Sequence, residues 1–204
     1  MPPAHHPVRR CGTRSALARL APALLALLTV LTGCSSAPGP SAPADSAAVG
    51  TPPEVKHPAA PTKVVIPSIG VTGSLMELGL NTDGTVEVPP AEKGMTAGWY
   101  TGGSVPGEAG AAVIIGHNDT RFGKAVFHDL KKIAKGADIT VTNDRGESVH
   151  FTVTGTESVS KNSFPTEKVY GPTEDHALRL ITCDGDFDAQ GHPVNNLIVY
   201  AMLD

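Results

Sequence analysis

Ala111-Ala-Val-Ile-Ile-Gly-His117 and, sixty-six positions on, Ala177-Leu-Arg-Leu-Ile-Thr-Cys183 decide how this chain is read. Ala111-Ala-Val-Ile-Ile115 is an unbroken apolar run, the pattern of a strand buried on both faces rather than one with a wet side. Gly116 then lets the chain turn, and His117 stands at the strand-to-loop junction. The second stretch repeats the arrangement. A buried-looking strand ends in Cys183, and Asp184-Gly185-Asp186 reads as a loop. Side chains at such junctions are held by the sheet yet presented at a surface.

Working outward, the flanking segments also read as strands. Lys63-Val-Val-Ile66 opens one, and Pro67-Ser-Ile-Gly70 interrupts it. Gly73-Ser-Leu-Met-Glu-Leu78 reads as a strand or a short helical turn. Asn81-Thr-Asp-Gly84 is a turn signal ahead of the alternating Thr85-Val-Glu-Val88. Asp138-Ile-Thr-Val-Thr142 and Ser148-Val-His-Phe-Thr-Val-Thr154 alternate around Asn143-Asp-Arg-Gly146, which predicts a hairpin. Asn196-Leu-Ile-Val-Tyr-Ala-Met202 closes the chain as a last strand, and the stretch from Ala125 to Ile133 is expected to form a short helix containing Leu130. Many short strands separated by turns predict an all-β fold, either a closed β-barrel or a sandwich.

The chain divides into three parts. Residues 1–33 carry Arg9, Arg10, Arg14 and Arg19 with no acid before Asp45, then an apolar run from Leu20 to Thr32 that is short for a membrane helix. The run ends in Leu31-Thr32-Gly33-Cys34, which resembles the lipobox of bacterial lipoprotein signal peptides. That resemblance implies lipid on Cys34, cleavage just before it, and a domain anchored at the outer face of the cytoplasmic membrane. Residues 34–61 are rich in Ser, Ala and Pro without periodicity, the composition of a disordered spacer. Residues 62–204 suffice for one domain with a real core. The formal charge of -4 gives no basic surface to attract nucleic acid.

Cysteine usage sharpens the chemistry. The lipobox resemblance implies that Cys11 leaves with the signal peptide and Cys34 takes lipid, which would make Cys183 an unpaired thiol in an exported protein. It is either a reactive nucleophile or a small buried apolar residue. A thiol attacks a carbonyl as its thiolate and needs a neighbouring base or cation, which His117 offers. The same histidine can protonate a leaving amine.

Residues 62–204 resemble the sortases, and among them the class E/F type. The resemblance runs through Val64-Val-Ile-Pro-Ser-Ile-Gly-Val71, Ala97-Gly-Trp-Tyr100 and Val113-Ile-Ile-Gly-His-Asn-Asp-Thr120. It continues through Phe122-Gly-Lys-Ala-Val-Phe127, Ser163-Phe-Pro165, Val169-Tyr-Gly-Pro172, Leu180-Ile-Thr-Cys183 and Asn196-Leu-Ile-Val-Tyr-Ala201. It implies a closed β-barrel with short helices and loops, Cys183 as nucleophile and His117 as its partner. It also implies a transpeptidase that cleaves a sorting motif in an exported protein, of the Leu-Pro-x-Thr type. An acyl-thioester on Cys183 would pass to an amine, a cell-wall precursor or a protein lysine.

Sortases generally place an arginine on the strand after the cysteine loop, and here the sequence departs. Aligning Ile198-Val-Tyr-Ala201 puts Asn196 at that position, and no Arg occurs from Asp184 onward. An amide still donates to an oxyanion, without charge. Arg179, four residues before Cys183, shares its face about 13 Å back at roughly 3.3 Å per residue, and Arg121 follows His117 in a loop. Either is a candidate for the missing charge. His128, His150, His176 and His192 read as surface or loop residues, and Asp184, Asp186 and Asp188 as a solvated loop lacking the closing Glu of a calcium site. No organic cofactor, zinc spacing or phosphate loop is signalled. Two alternatives keep the same scaffold: a hydrolase on the same site, and a non-catalytic surface lipoprotein that binds peptide or cell wall.

Overall fold

The computed structural model describes residues 59–204, which include the whole predicted domain. The signal-peptide and spacer expectations, Cys11 and Cys34 among them, lie outside the described residues. Ten strands form: β1 (Pro61–Ile66), β2 (Val71–Leu78), β3 (Thr96–Tyr100), β4 (Gly110–Ile115), β5 (Asp119–Thr120), β6 (Gly123–Lys124), β7 (Asp138–Asn143), β8 (Ser148–Ser160), β9 (His176–Phe187) and β10 (Pro193–Leu203). Eight of them close into a barrel in the order β1-β2-β3-β4-β9-β10-β8-β7, while β5 and β6 make a small separate hairpin. Of the two architectures open to the sequence, the barrel is the one formed. Its pairs are antiparallel except β2 with β3 and β4 with β9, which run parallel.

Alternation explains the core. On β7, β8 and β9, residues two apart such as Ile139 and Val141, Phe151 and Val153, and Leu178 and Leu180 all point inward and are buried. Ala112 and Ile114 of β4 join them, while Val113 points outward into a second buried cluster with Val169, Ile181 and Ile198. The double-sided burial expected of β4 is therefore met, because a segment after β8 lies over its outer face. That segment consists of a 3-10 turn (Lys161–Ser163) and the short helix α1 (Thr166–Tyr170), whose Val169 is fully buried. Trp99 is buried on β3, and its indole N–H donates to the Ser104 carbonyl at 3.0 Å, so its polar edge is satisfied.

Three expectations are corrected. The helix expected from Ala125 to Ile133 is only a 3-10 turn, Leu130–Lys132. The spacing of Val126, Phe127, Leu130 and Ile133, all buried, mimics a helical stripe. Yet the amides of Ala125, Val126 and Phe127 donate to the carbonyls of Asn118, Gly94 and His117, which ties that part to distant chain instead. The strand expected at Thr85-Val-Glu-Val88 is reduced to one bridge, Leu80 with Val86. The Asp83 carboxylate accepts from the Thr85 amide and hydroxyl, and the Glu87 carboxylate accepts from the Gly79 amide. These side chains join the backbone bonds from the Asn81 amide to the Thr85 carbonyl and from the Glu87 amide to the Gly79 carbonyl in holding this loop. The hydroxyl and amide of Thr85 hold the Asp83 carboxyl below the usual carboxylate range. Finally, Cys183 is not at a strand end: β9 continues to Phe187 and pairs with β10 as a long hairpin.

Gly98 of β3 shows how tightly the barrel closes. A methyl group there would fall on the side chain of Leu78, which is 1 % exposed on the parallel neighbour β2. Gly98→Ala is expected to lower stability by about 1–3 kcal/mol, read as a fall in the urea midpoint. Leu78→Ala, itself destabilising, should leave room for the new methyl, so the double variant is expected to lose less than the sum of the two single losses. A double variant less stable than that sum would contradict this packing.

Candidate active site

The site follows from the parallel pairing of β4 and β9. Ile115 is in register with Ile181, and the Gly116 amide donates to the Ile181 carbonyl at 3.0 Å. His117 and Cys183 each stand two residues beyond that pair, so both belong to the outward face, on neighbouring chains about 4.8 Å apart. Both line one cleft of about 690 Å³. Its wall includes Ile115 and Ile181 below, Tyr100, Phe164 and Tyr170 to one side, and Leu80, Val86, Val88 and Pro89 from the loop after β2. The lining is mainly apolar, with polar groups gathered around the sulfur. Leu80 and Val88 are 54 % and 58 % exposed, an apolar rim open to a ligand.

Gly116 is needed for a reason other than the expected turn. An added Cβ would stand 2.6 Å from Cδ2 of Phe127, which is fully buried, so only glycine lets the histidine loop lie against the core. Beyond it, the Nε2–H of His117 donates to the Pro89 carbonyl at 2.7 Å, since a carbonyl only accepts. Nε2 therefore carries a proton, and Nδ1 is the ring nitrogen left to exchange one.

Asn196 also lines the cleft. On β10 it is paired across from Cys183 on one side and from Val159 of β8 on the other. Residues directly opposite in an antiparallel pair point to the same face, so Asn196 sits beside the thiol. Cys183 is half-buried, and Lys161 donates from Nζ to its Sγ at 3.5 Å. Sequence reasoning missed Lys161. It lies in a polar stretch twenty-two positions before the cysteine, and only the β8–β10–β9 pairing brings it close.

Both candidate arginines lie away from the cleft. Arg179 shares the outer face as expected, but its guanidinium lies 4.9 Å from the Tyr200 ring centre and donates to the Leu178 carbonyl at 3.2 Å. It lines a different groove with Glu157, Lys168 and Tyr200. Burial lowers its pKa, a further cost to charge at that place. Arg121 stacks over Phe122 on the β5–β6 hairpin at 4.8 Å. Of the other histidines, half-buried His128 faces Asp119 and lines a smaller cavity on another side of Cys183, whereas His150 faces Asp138, His176 meets the Gly107 carbonyl and His192 faces Asp188. Asp184 accepts from Ser158, and Asp188 accepts the Gln190 and His192 amides to close the β9–β10 turn. Among the described residues no three metal-ligating side chains converge. The buried Thr182 hydroxyl, next to Cys183, has no hydrogen-bond partner among the described residues.

The aromatic wall is built from rings packed on one another. Tyr170 meets Tyr100 edge-on at 5.8 Å and 84°, and Phe164 at 6.0 Å. Burial first, and the nearby Tyr100 second, push the Tyr170 phenol up to about 12.

A family model described as "Sortase domain" matches residues 64–204. Among solved structures, sortase C-1 of Actinomyces oris is 22 % identical with a TM-score of 0.55, the match covering 70 % of this chain and 73 % of that one. Sortase A of Listeria monocytogenes is 22 % identical with a TM-score of 0.54, over 72 % and 88 % of the two chains. Sortase A of Corynebacterium diphtheriae is 20 % identical with a TM-score of 0.55, over 74 % of this chain and 63 % of that one. A comparison with curated protein sequences gives no match.

The tyrosine yields a pH prediction. The folded state holds the Tyr170 proton more tightly than the unfolded chain, whose phenol titrates near 10. The stability this contributes is whole below that pH and is lost as pH rises toward about 12. Melting scans across this range should show the fall, and Tyr170→Phe should flatten it; an unchanged alkaline slope would contradict the burial of this phenol.

Proposed function

The chain belongs to the sortase family, and on that footing we propose that it is a cysteine transpeptidase acting on exported proteins. The observation that carries this reading is the meeting of Cys183, His117 and Asn196 in one cleft with an apolar rim. The Cys183 thiol gives its proton to His117 Nδ1, the thiolate adds to the scissile carbonyl carbon, and the carbonyl electrons move to oxygen. The tetrahedral centre collapses, the C–N bond breaks, and the leaving nitrogen takes its proton from His117 Nδ1. An incoming amine then adds to the thioester and gives its proton back to His117. The C–S bond breaks and the thiolate returns.

Asn196 serves as a neutral donor near the developing oxyanion. Arg179 is held on the Tyr200 ring, so a direct part for it would require that stacking to release. The substrate is a sorting motif of the Leu-Pro-x-Thr type, whose apolar first residues suit the rim of Leu80, Val86 and Val88. The acceptor is a cell-wall precursor or a protein lysine. Within the family the chain is of class E/F type. The lipobox-like Leu31-Thr-Gly-Cys34 supports a lipid anchor on Cys34 that holds the domain at the outer face of the cytoplasmic membrane.

The test is product analysis on residues 62–204 with a Leu-Pro-x-Thr-Gly peptide and added triglycine. The expected result is a ligated peptide, abolished by Cys183→Ala and reduced about 10²–10⁴-fold by His117→Ala. Release to water alone, insensitive to amine, would make the protein a hydrolase. A Cys183 that forms no adduct with any peptide would leave a peptide- or wall-binding module.

A further inference from the structure

We propose that the Lys161 ammonium is the catalytic cation of this site, taking the charge role for which the chain has no arginine after Cys183. The inference rests on Cys183 being the nucleophile. Its starting point is the 3.5 Å approach of Lys161 Nζ to Sγ. Val159, Asn196 and Cys183 form one row across β8, β10 and β9, and Lys161 comes two residues after Val159. The Ser160 hydroxyl accepts from the Asn162 amide at 3.2 Å and so caps the 3-10 turn that begins at Lys161. The base of this lysine is fixed even though its side chain is exposed.

Charge pairing in the same segment points the same way. Lys168 is taken by Glu157, whereas no carboxylate pairs with Lys161 among the described residues. Asp184, the acid next to the cysteine, is engaged by the Ser158 hydroxyl. Lys161 is thus a free ammonium directed at a thiol.

A cation at that distance favours the thiolate before attack. When Sγ bonds to the carbonyl carbon, the new oxyanion forms one atom further on, within reach of the same ammonium. The division of labour follows. Lys161 holds negative charge, first on sulfur and then on oxygen, and keeps its proton throughout. His117, held through Nε2 by Pro89, remains free to move protons at Nδ1.

The test compares wild type with Lys161→Gln and Lys161→Arg. Neutral iodoacetamide and anionic iodoacetate report on the thiol, and the sorting peptide reports on acylation. Lys161→Gln should slow alkylation about tenfold and acylation about 10²-fold. It should also lower the rate ratio of iodoacetate to iodoacetamide, with an unchanged melting temperature, and Lys161→Arg should restore all three. Wild-type rates with both reagents in Lys161→Gln would overturn the proposal. A wild type that acylates with no peptide, yet shows the reagent effect, would uphold Lys161 beside the thiol and reject the transpeptidase.

Discussion

The parallel hydrogen-bonded register between β4 and β9 is the constraint from which the site follows. Ile115 opposite Ile181 fixes which positions of the two chains face outward together. Because side chains alternate along each chain, one register sets both the inward residues, such as Ile114 and Leu180, and the outward ones that lead to His117 and Cys183. A slip of one residue would turn either reactive side chain toward the core. Gly116 belongs to the same constraint, since its missing side chain leaves room for Phe127 under the histidine loop.

A second layer makes the register useful. The barrel wall is apolar on its outer face at Val113, Ile181 and Ile198, and the segment carrying α1 covers it with Val169 and Phe164. That cover is also the side wall of the cleft, so the packing that hides the outer face shapes the cleft as well. The loop after β2 supplies the opposite wall and, through the Pro89 carbonyl, the orientation of the His117 ring. Lys161 arrives on the covering segment, which ties the charge at the thiol to the same packing.

Much of this was legible beforehand. The β7–β8 hairpin was plain from alternation around Asn143-Asp-Arg-Gly146, and the double-sided burial of β4 from its unbroken apolar run. The sequence points to Cys183, His117, Asn196 and Arg179, of which the first three line one cleft and Arg179 does not. What the sequence hid depends on partners distant along the chain. Ala125 to Phe127 looked helical because periodicity does not reveal that their amides reach the Asn118, Gly94 and His117 carbonyls. Arg179 was assigned the right face, but the face alone does not show the Tyr200 ring that holds it. Lys161 gave no signal in a polar stretch, since its relation to Cys183 exists only through two strand pairings.

The central claim, that the β4–β9 register sets positions 117 and 183 side by side, is open to a direct measurement. His117→Cys would be treated with a reagent that fluoresces only on bridging two neighbouring thiols, beside Arg179→Cys as the control. The account predicts rapid bridging to Cys183 from position 117 and none from position 179. Bridging from position 179 alone, or from neither, would contradict it.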